Sequence, residues 1–264
     1  MVIQLRLEPR GQLQEITVEQ GETLESIYQR FAPQLPYRIL AAKVNNKIES
    51  LLYEIQQDCT VELLDMRTQA ANLIYQDSLN LIYLKAIYDV LGDVDVDIEN
   101  ALNKGLFTEV KTNEKITAKE IKKIEKRMRE LVEADIPFIR EEVSFQEAKE
   151  IFIKSGQPEK FELLLEGKQR NKKIPFYSLD GYKDFFYGLM VPSAGYIEYF
   201  QLMKYRRGIL LRFPHPSAPD KIPPYVDEQM LYKTFGEQSR WGKLMKINYV
   251  SDLNKRIEKG QYKE

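Results

Sequence analysis

The chain has 264 residues, 43% apolar and 30% charged, with a formal net charge of -1 at neutral pH. That length supports one large domain or two of ordinary size without covalent staples, and the balanced charge excludes a global field drawing nucleic acid or membrane, leaving only a local patch. A single cysteine, Cys59, and a single histidine, His215, exclude an internal disulfide framework, a thiolate metal cluster and a paired-imidazole zinc site.

The opening MVIQLRLEPRG alternates like a strand and lacks the basic start and small-residue cleavage site of a secretory signal. No apolar run approaches the ~20 residues of a membrane helix, so a cytoplasmic protein is expected. Ile3, Leu5 and Leu7 form one strand face, and Pro9-Arg10-Gly11 turns the chain into a second strand at Gln14–Val18. Thr23 caps a helix whose apolar face is Leu24, Ile27, Tyr28 and Phe31, stopped by Pro33 and Pro36. Strands are expected at Ile39–Val44, Ser50–Tyr53 and Thr60–Leu64, with a turn at Asn45-Asn46. Two strands, a helix and returning strands predict a β-grasp unit over residues 1–65. Its 6 basic against 10 acidic residues disfavour a nonspecific RNA clamp.

Asn72–Leu91 has two adjacent apolar faces, which predicts a buried central helix. Asp77, Ser78 and Asn80 leave a polar turn in its middle, open to use by an enzyme or to simple local hydrogen bonding. Strand-like segments follow at Gly92–Ile98 and Gly105–Val110, with Leu106 and Phe107 as core candidates. A helix over Lys115–Glu133 carries the apolar stripe Ile121, Ile124, Met128, Leu131 and Val132, a capping-box pair in Thr117 and Glu120, and a stop at Pro137. A strand near Val143 and helices at Phe145–Ser155 and Lys160–Gly167, separated by Gly156 and Pro158, come next. With 16 Lys/Arg against 13 Asp/Glu, residues 111–173 read as a solvated, ion-paired face.

The aromatic-rich runs Ile174–Leu179, Phe185–Leu189 and Tyr196–Leu202 read as sheet, and Tyr205-Arg206-Arg207-Gly208 as a hairpin turn into Ile209–Phe213. The proline-rich stretch around His215 forms a boundary, followed by short helices at Met230–Phe235 and Arg240–Leu244 and a helical or extended tail from Val250. Lys204, Tyr205, Arg206, Arg207, Arg212 and His215 make the best local binding patch. Arginine forks clamp phosphate and a tyrosine stacks on a base. A ligand-free basic turn, a phosphate or nucleotide site and an RNA contact all fit it. His215 lacks a neighbouring nucleophile and orienter, so it reads as a turn residue, and Cys59 as a small core residue.

GETLESI at 21–27 and ILAAKVNNKIESL at 39–51, with the central helix, residues 116–152 and VPSAGYIEYFQLMKY at 191–205, resemble the N-terminal half of threonyl-tRNA synthetase. The resemblance implies an α+β chain: a ubiquitin-like β-grasp TGS domain at 1–65, then at 68–225 a domain like the second additional domain of threonyl- and alanyl-tRNA synthetases. Residues 226–264 would be a C-terminal extension. In that family the editing site has two histidines four apart on the central helix, and a cysteine and a histidine four apart before the VPS turn. Here Asp77, Leu81, Phe186 and Met190 take those places. Only Asp77 keeps useful polarity, so no metal site and no inherited aminoacyl-ester hydrolysis are expected.

YQDSLNLIYLKAIYDVL, KGLFTEV, YGLMVPSAGYI, KYRRGILLRFPHP and VSDLNKRI further resemble bacterial nucleoside kinases of the uridine kinase/phosphoribulokinase type, in which such a region precedes the kinase domain. No GxxxxGKS/T phosphate loop occurs in this chain. The resemblance therefore implies a noncatalytic accessory region without a cofactor of its own. ATP and magnesium would belong to an absent kinase domain, and the partners would be that C-terminal domain, a nucleotide or RNA, and copies of the chain. The alternatives are an RNA-binding module derived from a threonyl-tRNA synthetase editing domain and a different hydrolase rebuilt in the old cleft.

Overall fold

The computed structural model describes residues 1–8, 11–102, 104–112, 115–154, 173–245, 247, 250–258 and 260. The chain forms two compact units, Met1–Ile139 with Ser178–Val226, and Arg140–Tyr177 with Asp227–Glu264. The expected Pro9-Arg10 turn and Lys160–Gly167 helix, with Gly156 and Pro158 before it, lie outside the described residues.

The first unit opens with a five-stranded sheet in the order β2-β1-β5-β3-β4. Its strands are β1 (Val2–Arg6), β2 (Leu13–Thr17), β3 (Ile39–Val44), β4 (Lys47–Glu49) and β5 (Thr60–Asp65). β1 runs antiparallel to β2 and parallel to β5, while β3 is antiparallel to both β4 and β5. Period-2 alternation puts Ile3 and Leu5 in the core, and Leu24, Ile27 and Tyr28 of α1 (Leu24–Phe31) are buried too. Thr23 caps α1, its Oγ1 accepting from the Ser26 N–H at 3.2 Å. Asn45 and Asn46 make the β3–β4 turn at φ 45° and 68°, the left-handed region asparagine tolerates. The expected strand at Ser50–Tyr53 is instead a turn, because the Leu51 and Tyr53 carbonyls accept from the Glu25 and Leu24 N–H groups at the start of α1.

α2 (Gln69–Leu91) is the central helix, three residues longer at its start than the apolar pattern indicates because Thr68 caps it. It packs on β3 and β5 of the first sheet, on α3 (Ala118–Glu133), and on a 3-10 turn at Ala194–Tyr196. With contacts on so many sides, Ile74, Tyr75, Leu79, Leu81, Ile82, Tyr83, Ala86 and Ile87 are all buried. α3 carries the expected capping box: Thr117 Oγ1 accepts from the Glu120 N–H, and the Glu120 carboxylate accepts from the Thr117 N–H at 2.7 Å. It ends before Pro137, with Asp135 at φ 48°.

A second, antiparallel sheet has the order β11-β12-β7-β6, made of β11 (Gln201–Tyr205), β12 (Gly208–Arg212), β7 (Gly105–Lys111) and β6 (Asp95–Leu102). Tyr83 on α2 reaches this sheet through a 2.7 Å hydrogen bond with Thr108, whose hydroxyl also bonds the Ile209 carbonyl. Gly208 lies so close to the Thr108 carbonyl and the Phe107 ring that a Cβ has no room there.

In the second unit, β8 (Ile139–Val143) precedes α4 (Phe145–Lys154) and pairs with β9 (Ile174–Leu179). Phe152 and Phe176 pack with ring centroids 5.4 Å apart. The two short C-terminal helices expected from sequence are one helix, α5 (Gln229–Met245), which Gly236 does not break; α6 (Val250–Glu258) follows. β9 continues into the first unit and, through the Asp180-Gly181 turn, into β10 (Tyr182–Phe185). Residues 186–190 leave the sheet there, contrary to the strand expected at Phe185–Leu189. Tyr196–Leu202 likewise is mostly irregular, with β11 starting only at Gln201. Among the described residues no helix is long and apolar enough to cross a membrane.

Candidate functional site

The middle of α2 meets the segment before β11. Ser78 Oγ donates to the Ile74 carbonyl one turn back at 2.7 Å and accepts from the Val191 N–H at 3.1 Å. Gly188 approaches the Asp77 carboxylate so closely that any Cβ at 188 would overlap Oδ2. The helix bearing Asp77 and Leu81 is thus brought against the segment bearing Phe186 and Met190. Leu81 is fully buried and Met190 nearly so, while Phe186 is half-buried. Thioether and hydrocarbon side chains thus occupy three of the four positions, and none of the three can act as an acid, a base or a nucleophile.

Asp77 is the polar exception among the four. Burial alone pushes its carboxyl up to about 6, because a charged carboxylate loses hydration there. Among the described residues no donor bonds it. Three positions on, Asn80 Oδ1 is buried and also lacks a partner. A carboxyl near 6 can exchange a proton at neutral pH, yet no imidazole, thiol or hydroxyl nucleophile is paired with it, since Ser78 is committed to backbone at both ends. Ser78 matters here as a strut, a role readable in sequence only as a helical serine able to bond its own i-4 carbonyl.

The basic turn is largely committed to its own fold. Arg207 pairs with Glu99 and Glu109, each at 3.2 Å. Burial, and a hydrogen bond with Glu109, raise the Glu99 carboxyl. Arg212 is buried; its guanidinium donates to Gln201 Oε1 at 2.6 Å and to the Pro223 carbonyl, and Nε has no partner. Lys204 donates to the Ile116 carbonyl. Tyr205 is buried against Phe107. Arg206, at φ 49°, is exposed and stands 5.6 Å over the Tyr205 ring. The turn therefore does not present these five side chains on one open surface.

His215 does have a hydroxyl neighbour: Ser217 Oγ lies 2.8 Å from Nδ1, and the Ser217 N–H donates to the same nitrogen. Both bonds close a tight local turn. Cys59 is half-buried, and burial followed by the Asp58 charge raises its thiol, which makes it a poor nucleophile. Among the described residues no cluster of three His, Cys, Asp or Glu could hold a metal ion.

A feature the charge count averaged away lies on α3. Lys119, Lys122, Lys123 and Lys126 are exposed along one side of the helix, with Lys115 exposed just before its cap. The signal was present in AKEIKKIEK as lysines at helical spacing.

The α+β architecture, a β-grasp sheet joined through a buried helix to a second α+β part, matches the TGS and editing-domain region of threonyl-tRNA synthetase. The chain is 32% identical over 195 residues to threonine–tRNA ligase 1 of Bacillus subtilis, a match covering 74% of this chain and 30% of the ligase. It is 28% identical over 229 residues to the threonine–tRNA ligase of Desulforamulus reducens, covering 83% of this chain and 35% of the ligase. The match to the Symbiobacterium thermophilum ligase is 26% over 195 residues, with 74% of this chain and 30% of the ligase covered. The chain thus spans about a third of the length of the curated relatives it matches. No protein-family model matches the chain. These relatives correct the nucleoside-kinase reading: the similarity that extends over most of the chain is to threonine–tRNA ligases.

Proposed function

We propose that this chain is an editing-domain-like, RNA-binding region of the threonyl-tRNA synthetase type, whose cleft is retained for architecture and not for ester hydrolysis. The observation that carries this reading is the combination of similarity over 74% of the chain to a threonine–tRNA ligase with the burial of Leu81 and Met190 as apolar core. A TGS-like part at 1–65, an editing-like part at 68–225 and an extension at 226–264 form the proposed division. Threonine tRNA is the proposed partner, and hydrolysis of a mischarged ester is not expected because no nucleophile or imidazole stands beside Asp77.

The test is a filter-binding titration of the whole chain with threonine tRNA at two salt concentrations, beside a deacylation assay on mischarged threonine tRNA. Binding that weakens with salt, without deacylation, is the expected result. Absence of binding at low salt would refute the RNA reading; deacylation lost in Asp77→Ala would refute the architectural reading of the cleft.

A further inference from the structure

The buried stripe of α3, Ile121, Ile124, Met128 and Leu131, fixes which side of the helix faces solvent. Lys119, Lys122, Lys123 and Lys126 are exposed on the other side, at the three-, four- and seven-residue spacings that bring side chains together. The remaining cations of this helix are held by the fold. Arg127 pairs with Asp89 at 2.7 Å and Asp180 at 3.2 Å, and Arg129 with Glu125 at 2.8 Å, also donating to the Phe200 carbonyl. Of the four lysines, Lys126 has only a loose contact to Glu130 at 3.5 Å, and Lys123 lies near Glu120, whose carboxylate is already taken by the Thr117 N–H and hydroxyl.

Lysine suits an exposed helix position, and one i,i+4 ion pair, Lys126–Glu130, supports this face. Lys119, Lys122 and Lys123 lie in the N-terminal half of α3 and Lys126 just past its midpoint; the positive end of the helix dipole acts within the first turn only, so it opposes Lys119 and leaves the other three to their own charge. An anion at the start of the face would be drawn by Lys119 and the dipole together, and further along it by the lysines alone.

We propose that this lysine face of α3 binds the phosphate backbone of an RNA duplex. The proposal rests on the RNA-binding reading above and names the surface that serves it. From Lys119 to Lys126 the helix advances about 10 Å, a length over which each strand of a nucleic-acid duplex carries roughly three phosphates. Lysine is a point charge suited to a phosphate rail and is depleted from protein–protein interfaces, so RNA fits this face better than an acidic protein. With a net charge of -1 for the whole chain, attraction has to be local, and this face supplies it.

The experiment compares the full chain with a Lys119→Gln/Lys122→Gln/Lys123→Gln/Lys126→Gln variant. Glutamine keeps helix propensity, and circular dichroism checks the fold. A control replaces the exposed Lys173, Lys221, Lys233 and Lys243 with glutamine. Threonine tRNA and an unrelated RNA hairpin are titrated against all three at several salt concentrations. The expected result is at least a tenfold loss of affinity in the α3 variant for both RNAs, with the slope of log affinity against log salt flattened by about three, and little change in the control. If the parent binds and the α3 variant binds equally, or the control falls as far, the lysine-face assignment is overturned while the RNA-binding reading stands. If the parent binds no RNA, both fall. Retention of an acidic peptide in place of RNA would also overturn the assignment.

Discussion

Replacing Asp77 with asparagine should stabilise the protein at neutral pH and leave it nearly unchanged in acid. In the folded chain burial moves the Asp77 carboxyl from its usual 3.8 to about 6. A raised carboxyl means that folding penalises the ionised form. Below about pH 4 the group is largely protonated in both states and the penalty vanishes; it grows as pH rises from about 4 to 6 and is constant above. At 1.36 kcal/mol per pKa unit, the full effect is about 3 kcal/mol, and about 2 kcal/mol separates pH 7.5 from pH 4. The assay is urea denaturation of the parent and Asp77→Asn at pH 4, 5, 6 and 7.5, scored as the change in their stability difference with pH. That comparison cancels any pH-independent cost of placing an amide in the cleft. A difference that does not vary between pH 4 and 7.5 would refute the reasoning, because it would mean that Asp77 is as well solvated in the fold as in the unfolded chain.

Two further outcomes follow from the same region and from α3. Gly188→Ala should cost about 1 kcal/mol, the low end of overpacking because the atom it meets ends a side chain that can swing away; combining it with Asp77→Ala should recover most of the loss in a double-mutant cycle of denaturation midpoints. Thr117→Ala removes the capping side chain of α3 and should cost about 1 kcal/mol, read as a lowered thermal midpoint.

Where sequence and structure part, tertiary contacts overrode local preference. Caps were legible: Thr23 and Thr117 announce α1 and α3, and the alternation of Ile3 and Leu5 announces β1. Ser50–Tyr53 has apolar residues suited to a strand, but its carbonyls serve the start of α1, a demand no local pattern displays. Phe185–Leu189 has strand-like aromatic content, yet the chain leaves the sheet after Phe185 so that Gly188 and Val191 can reach Asp77 and Ser78. Gly236 lowers helix preference by about 1 kcal/mol, too little to split α5. The choice of Asp77, Leu81, Phe186 and Met190 rested on family resemblance; the local pattern alone left the polar turn open between catalysis and support. At the hairpin turn, the acids that hold Arg207 come from the neighbouring strands β6 and β7, where a register shift between Ile98 and Asn100 brackets Glu99. Such cross-strand partners are invisible to a reading along the chain.

α2 has one property that bears on architecture more than on chemistry. The helix that carries Asp77 and Leu81 is also packed on β3 and β5 of the β-grasp sheet. Removing the editing-like part would uncover the side of that sheet on which α2 rests, and removing the sheet would expose apolar residues of α2. Each half therefore covers apolar surface of the other, and the helix joining them is held by both. A substitution at Leu81 or Ile82 would then be felt in both halves at once, whereas one at the exposed lysines of α3 would be felt only at the surface.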